Sequence, residues 1–513
     1  MHYLSVKNSI LSTIIKKRIN KISYSIQNPL ETQDIVLKEL LKKGKRTHFG
    51  NEHNMSTINN YNEFRDNIPI RTYEEIYQYI ERIMSGEKNV LWPGNVKWLA
   101  KSSGTTNSSS KYIPITNDSL HYCHFKGGKD MLALYTNNFP NRNIYNGKGL
   151  MLGGNINKSK TIHNGDLSAI LIKEFPFWVS YHRVPDINTA LMSNWEEKIE
   201  KITNQAIKEN ITNITGVPSW MLILLKNILQ KSNKKNLLEL WPNIEVYMHG
   251  GVNFKPYKKL FEELIPTKKM NYLEGYNASE GFFAIQDQKN SKGLLLMLDY
   301  GIFYEFIEIE KYRLEEYETI LLEEVKLSKE YVMVITTNAG LWRYIIGDVI
   351  EFVSVNPYRI NIIGRTSAYI NVFGEEVIVN NTDEALFLTC RDLGIIAKEY
   401  TVAPIFINNS AGKHQWLIEF ESRPENINLF KRKLDSNLQK LNSDYAAKRS
   451  NELIMGIPDI ILLEKDEFYV WLKTKGKLGG QHKIPRLSNS RKVIEEILEI
   501  KRSFQQKAQA KHK

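Results

Sequence analysis

The most informative stretch of the chain is Lys101-Ser102-Ser103-Gly104-Thr105-Thr106-Asn107-Ser108-Ser109-Ser110-Lys111. An apolar segment precedes it and Tyr112-Ile113-Pro114-Ile115 follows it, so the pattern predicts a strand, a turn and a second strand. Gly104 permits close approach of the backbone to a ligand, and successive backbone N–H groups in such a turn form an anion-binding nest. Hydroxyl and lysine side chains add donors to phosphate oxygens. The stretch therefore indicates a loop that binds a polyphosphate.

This loop differs from a Walker A motif, which requires Gly-x-x-x-x-Gly-Lys-Ser/Thr at the start of a helix. It contains one glycine and no Gly-Lys-Ser/Thr sequence. A cluster of Ser, Thr, Gly and Asn is more often a polar surface turn than a ligand site. The phosphate-binding interpretation therefore depends on motifs that lie farther along the chain.

The composition is that of a globular protein large enough for two or three domains, at 513 residues. Hydrophobic residues make up 42% of the chain and charged residues 25%, which are ordinary values. No segment approaches the roughly 18–20 apolar residues of a membrane span, and residues 1–26 lack the apolar core of a signal peptide. Two distant cysteines, Cys123 and Cys390, provide no disulfide framework. These features predict a cytoplasmic protein without a membrane segment.

The net charge of +12 makes nucleic-acid binding an alternative to consider. The lysines are scattered along the chain, however, and the only dense basic run is the tail of residues 501–513. A solvated, frayed and disordered terminus is the simpler interpretation of that tail. We therefore expect no nucleic-acid partner.

The order of predicted elements indicates three regions. Apolar strands alternate with helices from residue 96 to residue 281, which predicts an α/β parallel sheet with ligands beyond the carboxyl ends of its strands. Strand then follows strand, at residues 303–309, 319–325 and 331–336, which indicates a β-barrel or an antiparallel sheet. A mixed α+β region follows Gly364-Arg365. The predicted domains are residues 1–364, residues 365–500 and the tail 501–513.

Four further motifs carry side chains that could bind a nucleotide or a metal ion. Tyr276-Asn277-Ala278-Ser279-Glu280 offers a ring that could stack on a base and a carboxylate that could bind Mg²⁺. Gly347-Asp348 places a carboxylate where it could accept hydrogen bonds from ribose hydroxyls. Gly364-Arg365 presents a fixed fork of donors, and the glycine-rich segment 479–486 presents Lys483. Each motif alone is also typical of an ordinary turn.

The order of these motifs resembles that of the adenylate-forming superfamily. Within it, the chain is similar to the auxin-responsive-promoter family of acyl-acid–amido synthetases, in its bacterial form, and the similarity extends over nearly the whole chain. The segments that carry it are Lys101 to Thr106, Gly216 to Trp220, His249 to Val252, Tyr276 to Gly281, Gly340 to Asp348, Gly364 to Thr366, Phe373 to Glu376, Asn442 to Tyr445, and Gly476 to Arg486. Many relatives in the wider superfamily have Asp or Lys just after Gly-Arg, whereas Thr366-Ser367 follow here, so the hinge residue is left open.

The resemblance implies an α/β fold with a large N-terminal adenylate-forming domain, including a β-barrel-like part, and a small α+β C-terminal domain. It implies ATP and Mg²⁺ as cofactors, with Lys483 and Glu280 as catalytic residues and Glu280 also as the metal ligand. The residues implied to bind ATP are Ser102, Ser103, Gly104, Thr105, Thr106, Gly250, Gly251, Val252, Tyr276, Ser279, Asp348 and Arg365.

The implied reaction joins a carboxylic acid to an amine through an acyl-AMP, with release of pyrophosphate and with an amino acid as the expected acceptor. The acyl group is expected between two helices, although their residues are equally typical of ordinary core and surface. The residues expected to line it are His121, Tyr122, Phe125, Val217 and Trp220. A coenzyme A ligase of the same superfamily is the nearest alternative, and a basic nucleic-acid-binding protein is a more distant one. The sequence specifies neither the acid, the amine nor the oligomeric state.

Overall fold

A computed structural model describes most of the chain. The described residues are 17–102, 111–139, 144–157, 162–251, 254, 257–289, 291–366, 369–370, 373, 375, 377–406, 412–449, 455–476, 478 and 483–511. Contacts divide the chain into two compact units. The larger unit comprises residues 1–104, 109–252 and 263–362, and the smaller unit comprises residues 105–108, 253–262 and 363–513.

Two sheets form the framework of the larger unit. Their strands are β1 (Trp98–Ser102), β2 (Lys111–Ile115), β3 (Lys148–Met151), β4 (Ile156–Asn157), β5 (His163–Gly165), β6 (Arg183–Val184), β7 (Ile211–Thr215), β8 (Val246–His249), β9 (Asn271–Ala278), β10 (Gly281–Ile285), β11 (Leu294–Leu296), β12 (Ile302–Glu308), β13 (Glu330–Thr337), β14 (Tyr344–Val355) and β15 (Tyr358–Arg365). The small sheet has the order β2-β1-β5-β4, and the large sheet has the order β12-β13-β14-β15-β11-β10-β9-β8-β7-β3-β6.

The large sheet is parallel at one end and antiparallel at the other. Strands β6, β3, β7, β8 and β9 pair in parallel. From β9 to β10 the pairing becomes antiparallel, and it is antiparallel again between β10 and β11 and among β12, β13 and β14. The predicted parallel sheet and the predicted antiparallel region are therefore both present, and within the described chain they are joined in one sheet.

One predicted strand in the antiparallel region was wrong. Residues 319–325 form only an isolated bridge between Ile320 and Phe306, followed by a 3-10 turn at Leu322–Glu324. The Glu324 carboxylate accepts a hydrogen bond from the backbone N–H of Leu321 at 2.7 Å. Such local side-chain bonds to the backbone compete with strand pairing and turn the chain.

The predicted strand–turn–strand around the Ser/Thr-rich loop is confirmed at both of its ends. Strands β1 and β2 pair antiparallel, with Ser102 opposite Lys111. Residues 103–110, which include the predicted phosphate-binding residues Ser103, Gly104, Thr105 and Thr106, lie outside the described residues.

Helices cover the sheets of the larger unit. They are α1 (17–27), α2 (Pro29–Gly44), α3 (His48–Glu52), α4 (Tyr61–Asn67), α5 (Tyr73–Met84), α6 (Asn117–Ser119), α7 (Phe125–Asn138), α8 (Leu167–Glu174), α9 (Ile187–Ala190), α10 (Trp195–Ala206), α11 (Pro218–Ser232), α12 (Lys258–Leu264, which crosses the unit boundary) and α13 (Ile309–Arg313). A π-helical turn, Leu120–His124, precedes α7. Helix α5 illustrates the local rules, because Thr72 and Glu75 form a capping box at its start and Ile76, Ile80 and Ile83 are buried at helical spacing.

A buried ion pair stabilises the antiparallel part of the large sheet. The Arg343 guanidinium donates two hydrogen bonds to the Glu305 carboxylate, at 3.0 and 2.8 Å. Its remaining nitrogen donates to the backbone carbonyls of Arg65 and Ile68, at 2.9 and 2.8 Å. The pair thus joins β12 to the C-terminal end of α4.

The smaller unit has an α+β fold. Its elements are β16 (Tyr369–Ile370), β17 (Val377–Ile378), α14 (Val379–Leu393), β18 (Ile396–Phe406), β19 (Gly412–Ser422), α15 (Ile427–Leu441), α16 (Ser443–Arg449), β20 (Asp459–Leu463), α17 (Glu467–Thr474) and α18 (Lys492–Lys511). Strands β18, β19 and β20 form one sheet, and β16 and β17 form a small ribbon.

The basic tail begins within helix α18. This helix spans Lys492–Lys511, and the fraying expected of residues 501–513 stays a prediction. Lys501 donates a hydrogen bond to the carbonyl of Leu462 at 2.7 Å, and the tail is rich in Gln, Ala and Lys, which are strong helix formers. Among all helices of the described residues, none combines the length and the apolar character that crossing a bilayer would require.

We predict that Arg343→Met lowers the free energy of unfolding by about 3–5 kcal/mol, because it leaves the Glu305 carboxylate buried without its cation. Urea denaturation of the purified variant measures the change. Arg391→Met, which removes an exposed arginine, is the control and should change the stability by no more than about 0.5 kcal/mol. Equal stability of the two variants would contradict the prediction.

Candidate active site

The turn after β8 lies directly against β9. Strand β8 ends at His249 and leads into Gly250 and Gly251. A Cβ atom on Gly250 would lie 2.2 Å from the carbonyl oxygen of Gly275, so no side chain fits there. Gly251 has φ +82°, a conformation that glycine adopts without strain. These two predicted ATP-binding residues therefore present backbone without side chains at the carboxyl edge of the parallel strands, whereas Val252 lies outside the described residues.

A two-residue turn brings Glu280 to the same edge. Ala278 at the end of β9 pairs with Gly281 at the start of β10, so Ser279 and Glu280 form the tip of a tight hairpin. Both tip residues are buried. Because β9 runs parallel to β8, the tip lies on the side of the sheet where β8 ends, and β9 extends four residues beyond Glu274, the partner of His249. The predicted metal ligand and the Gly250-Gly251 turn therefore share one edge of the sheet.

The Glu280 carboxylate fits a magnesium ion that arrives with a nucleotide. Among the described residues, no group of three or more His, Cys, Asp or Glu side chains could hold a metal by itself. Mg²⁺ is typically bound through one or two carboxylates together with substrate phosphates and water. A single buried carboxylate at the strand edge is consistent with that kind of site.

Tyr276 and Asp348, predicted to hold the adenine and the ribose, are in direct contact. The Tyr276 hydroxyl donates a hydrogen bond to the Asp348 carboxylate. Three strands separate their strands, β9 and β14, in the sheet order, which would place them about 19 Å apart in a flat sheet. The antiparallel part must therefore curve strongly, as expected for a barrel-like region. The Tyr276 ring also packs 4.8 Å from the ring of Phe283.

The structure adds His124, which sequence reasoning did not assign to the site. Its Nδ1 lies 3.0 Å from Oδ1 of Asn277, one residue after Tyr276, so Nδ1 carries the proton. Nε2 is buried and has no hydrogen-bond partner among the described residues. Burial lowers the pKa of His124 to about 4, although the bond to Asn277 opposes this shift. The neutral His124 imidazole therefore has an unused acceptor atom, Nε2, next to the strand that carries Tyr276 and Asn277.

The π-helical turn explains the position of His124. Cys123 in the same turn accepts a hydrogen bond from the backbone N–H of Phe282 at 3.1 Å, which ties the turn to β10. π-Helical turns inside helices are frequent at functional sites because they redirect side chains. The available sequence signal was the pair His121 and His124, but their spacing suggests one regular helical face and does not reveal the π turn.

Two of the five predicted acyl-binding residues, His121 and Phe125, form an aromatic wall together with Phe175. His121 packs 5.6 Å from Phe125, and Phe125 stacks at 5.4 Å on Phe175, which the sequence analysis did not select. Tyr122 is exposed on the same turn. Val217 precedes α11, whereas Trp220 packs edge-to-face on Trp195 of α10 at 4.7 Å. Of the five predicted residues, His121 and Phe125 are thus in contact with each other. The acyl-binding role of all five stays a prediction.

Two predicted residues belong to the smaller unit. Arg365 is the last residue of β15, which crosses the unit boundary after Ile362. Lys483 is exposed and lies just before a segment fixed along β18, where Thr401 donates to the carbonyl of Pro485 at 2.6 Å and Val402 N–H donates to that of Arg486 at 2.8 Å. The lysine therefore projects from a chain whose following residues are firmly anchored.

We predict that His124 makes the protein less stable in mild acid. The pKa of His124 is lower in the folded state than the usual 6.5, so the unfolded chain binds a proton first and stability falls as the pH drops from about 6.5 to about 4. Between pH 7 and pH 5 this loss should be about 2 kcal/mol.

Urea denaturation at both pH values, with wild type and His124→Asn, measures this contribution. The variant keeps a hydrogen-bond donor for Asn277. Between pH 7 and pH 5, its free energy of unfolding should fall by about 2 kcal/mol less than that of wild type. His121→Asn removes an exposed imidazole from the same turn and serves as the control. An unchanged pH dependence in His124→Asn would show that His124 does not cause it.

Comparison with known proteins identifies the family. Residues 18–270 match the GH3 family N-terminal domain, residues 295–365 match the GH3 family central domain, and residues 380–492 match the GH3 family C-terminal domain. The chain is 22% identical to the indole-3-acetic acid-amido synthetase GH3.15 of Arabidopsis thaliana, over 92% of this chain and 92% of that protein. It is 20% identical to the 4-substituted benzoates-glutamate ligase GH3.12 of the same plant, over 94% and 97%.

Solved structures show the same fold. The GH3.15 acyl acid amido synthetase in complex with 2,4-DB matches with a TM-score of 0.80 at 17% identity, covering 95% of this chain and 96% of that chain. A 2-hydroxyisobutyryl-CoA ligase in complex with 2-HIB-AMP matches with a TM-score of 0.58 at 11% identity, covering 93% and 91%. The expected fold class, with a large N-terminal and a small C-terminal domain, is thereby confirmed. The chain belongs to the GH3 family and is a ligase that forms an amide bond through an acyl-adenylate.

Proposed function

We propose that this protein adenylates a carboxylic acid with ATP and Mg²⁺ and transfers the acyl group to an amino acid. The observation that carries the proposal is the hydrogen bond between Tyr276 and Asp348. It unites an aromatic ring and a carboxylate, as adenosine binding requires, and the β9–β10 hairpin that carries Tyr276 also carries Glu280. The names of the relatives support the two substrate classes, since one is an acyl acid amido synthetase and another a benzoates-glutamate ligase.

The first half-reaction follows from leaving-group chemistry. A carboxylate does not react with an amine, because oxide would have to leave. In the proposed step, a carboxylate oxygen attacks the α-phosphorus of ATP, the bond between the α-phosphorus and its bridging oxygen breaks, and pyrophosphate leaves with the electron pair. The product is a mixed anhydride, acyl-AMP, whose leaving group is now a stable phosphate anion.

The residues proposed to assist this step do so through charge and position. Tyr276 would stack on the adenine, and its hydroxyl would orient the Asp348 carboxylate toward the ribose hydroxyls. Glu280 would hold a magnesium ion, which when bound offsets negative charge on the phosphoryl oxygens. Lys483 would donate to the α-phosphate and to the acyl carboxylate as charge builds in the transition state.

The second half-reaction transfers the acyl group. The uncharged amine attacks the acyl carbon, the bond from that carbon to the AMP oxygen breaks, and the proton lost from nitrogen passes to solvent. The stacked rings of Phe125 and Phe175 favour an acid with an apolar or aromatic body, because such rings bind flat carbon frameworks through dispersion and offset stacking. The particular acid and amino acid are left to assay.

We predict that Tyr276→Phe raises the KM for ATP about 3- to 10-fold, because it removes one hydrogen bond that orients the Asp348 carboxylate while preserving the ring. Acid-dependent pyrophosphate release, titrated with ATP, measures KM and kcat. Tyr272→Phe, a partly buried tyrosine on the same strand, is the matched control and should leave KM for ATP nearly unchanged. An unaltered KM in Tyr276→Phe would remove this hydrogen bond from ATP binding.

We predict that Lys483→Ala slows acid-dependent pyrophosphate release about 10²- to 10³-fold, because it removes a preorganised cation at the reacting phosphate. Lys465→Ala, an exposed lysine of the same unit, is the control and should retain the wild-type rate. A near-normal rate in Lys483→Ala would exclude this lysine from adenylation. A panel of aryl, indolyl and fatty acids identifies the acyl class in the same assay.

A coenzyme A ligase is the alternative to test against the amide-forming reaction. Such an enzyme would also release pyrophosphate, so the first half-reaction does not distinguish the two. Mass spectrometry of reactions supplied with the accepted acid, ATP, an amino acid mixture and coenzyme A does so. Amide products support the proposal, whereas thioester products alone would contradict it.

A further inference from the structure

One buried arginine differs from the others in its surroundings. Among the described residues, four arginines are at least nine-tenths buried, with exposed fractions of 4% for Arg183, 4% for Arg343, 7% for Arg359 and 8% for Arg449. Three of them pair with a carboxylate, namely Arg343 with Glu305, Arg359 with Asp287, and Arg449 with Asp435. The three guanidinium nitrogens of Arg183 are buried and have no hydrogen-bond partner within the described part of the chain.

The carboxylate of Asp186 attracts Arg183 electrostatically, but its oxygens accept hydrogen bonds from other groups. Asp186 caps helix α9, and its Oδ1 accepts hydrogen bonds from the backbone N–H groups of Asn188 and Thr189, at 2.9 and 3.1 Å. Its Oδ2 accepts from the Thr189 hydroxyl at 2.7 Å and from the Gln205 amide. Burial lowers the pKa of Arg183 and Asp186 only partly opposes this. A guanidinium nevertheless stays charged at neutral pH, so its charge needs another partner.

The pairing register shows which face of the sheet Arg183 occupies. Arg183 lies opposite Gly149 on β3, which lies opposite Asn213 on β7, and this row continues through Val246 to Asn271 on β9. Laterally paired residues direct their side chains to the same face. The Asn271 amide lies 3.4 Å from the Tyr135 hydroxyl of α7, so the row faces α7.

The neighbouring position in this row has no side chain of its own. A Cβ atom on Gly149 would lie 2.6 Å from Oδ1 of Asn213, so glycine leaves room there for the Asn213 amide oxygen. The Asn213 amide nitrogen donates to the Thr212 hydroxyl at 3.2 Å. The Arg183 guanidinium on this face therefore provides the donors for a planar oxyanion. Arginine in particular binds carboxylates through two parallel hydrogen bonds.

This position is remote from the ATP edge and connected to the aromatic wall. Three strands lie between β6 and β9, which corresponds to about 19 Å along the sheet. An oxyanion at Arg183 is therefore distinct from the ATP phosphates and from the reacting carboxylate. The 3-10 turn Phe177–His182, which begins two residues after Phe175, packs on β3 and β6 and leads directly into Arg183.

We propose that Arg183 anchors a buried binding site for a carboxylate other than the one that reacts with ATP. The carboxylate is either the second acidic group of a dicarboxylic acid substrate, in which case the inference rests on the proposed function, or a separate small carboxylate. Either carboxylate would be bound in the same way, by two parallel hydrogen bonds from the Arg183 guanidinium to its two oxygens. Occupation supplies the counter-charge that the other buried arginines obtain from Asp or Glu.

Thermal unfolding of the full chain tests the site without relying on catalysis. Wild type, Arg183→Met and the exposed control Arg391→Met are compared in succinate, glutarate and butyrate, with chloride at equal ionic strength as the reference. We expect carboxylates to raise the Tm of wild type and Arg391→Met and to leave that of Arg183→Met unchanged. Without carboxylate, Arg183→Met should melt no lower than wild type, because it removes an uncompensated buried charge.

The proposal would be overturned by either of two results. One is the absence of a carboxylate-dependent rise in the Tm of wild type. The other is an equal rise in Arg183→Met. Should Arg183→Met fail to fold, Arg183→Lys keeps the charge and removes the fork, and it should weaken the carboxylate response while retaining the wild-type Tm in chloride.

Pyrophosphate release identifies the source of the carboxylate. Dicarboxylic acids are compared with monocarboxylic acids of equal chain length in wild type and Arg183→Met. For a substrate carboxylate, the preference in kcat/KM for the diacid falls about 10- to 100-fold in the variant, while turnover of the monoacid persists. For a separate carboxylate, the Tm response is present and the preference does not change. If no acid supports turnover, the proposed function fails while the Tm comparison still decides the role of Arg183.

Discussion

The candidate site depends on the change of pairing direction at strand β9. This strand is parallel to β8 on one side and antiparallel to β10 on the other. Because β9 and β10 are joined by only two residues, the hairpin tip must lie at the edge where the parallel strands end. That edge is where α/β sheets bind ligands. The short hairpin therefore places the Glu280 carboxylate on the same side of the sheet as the Gly250-Gly251 turn without a long loop.

Curvature of the antiparallel part completes the arrangement. Tyr276 and Asp348 lie on strands that are four spacings apart, yet their side chains are hydrogen-bonded. A flat sheet would keep them apart, so closure of the sheet, and not proximity along the chain, creates the pair. The buried ion pair of Arg343 and Glu305 lies in the same antiparallel region and ties it to the helical segment that covers it. The contact of Tyr276 with Asp348 and the buried ion pair therefore both belong to one curved sheet.

Buried polar groups in the larger unit divide into satisfied and unsatisfied sets. Arg343 and Arg359 have carboxylate partners, which limits the cost of their burial. Arg183, Nε2 of His124 and the hydroxyl of Ser279 are buried without hydrogen-bond partners among the described residues. Such groups are costly in a folded protein unless a ligand or water completes them. Their positions, along the α7 face of the sheet and at the hairpin tip, mark surfaces where polar ligand atoms would be stabilised.

The sequence alone determined the order of the motifs, the α/β parallel region, the antiparallel region and the residues expected around ATP. These properties follow from short-range signals, because glycine turns, strand patterns and functional side chains are local. It misplaced a strand at residues 319–325, where the Glu324 side chain bonds to nearby backbone. Only the tertiary structure decided the contacts of Tyr276 with Asp348 and of His124 with Asn277, which join residues 72 and 153 positions apart. The same holds for the uncompensated charge of Arg183, since burial and the absence of a partner are properties of packing and leave no signal in the local sequence.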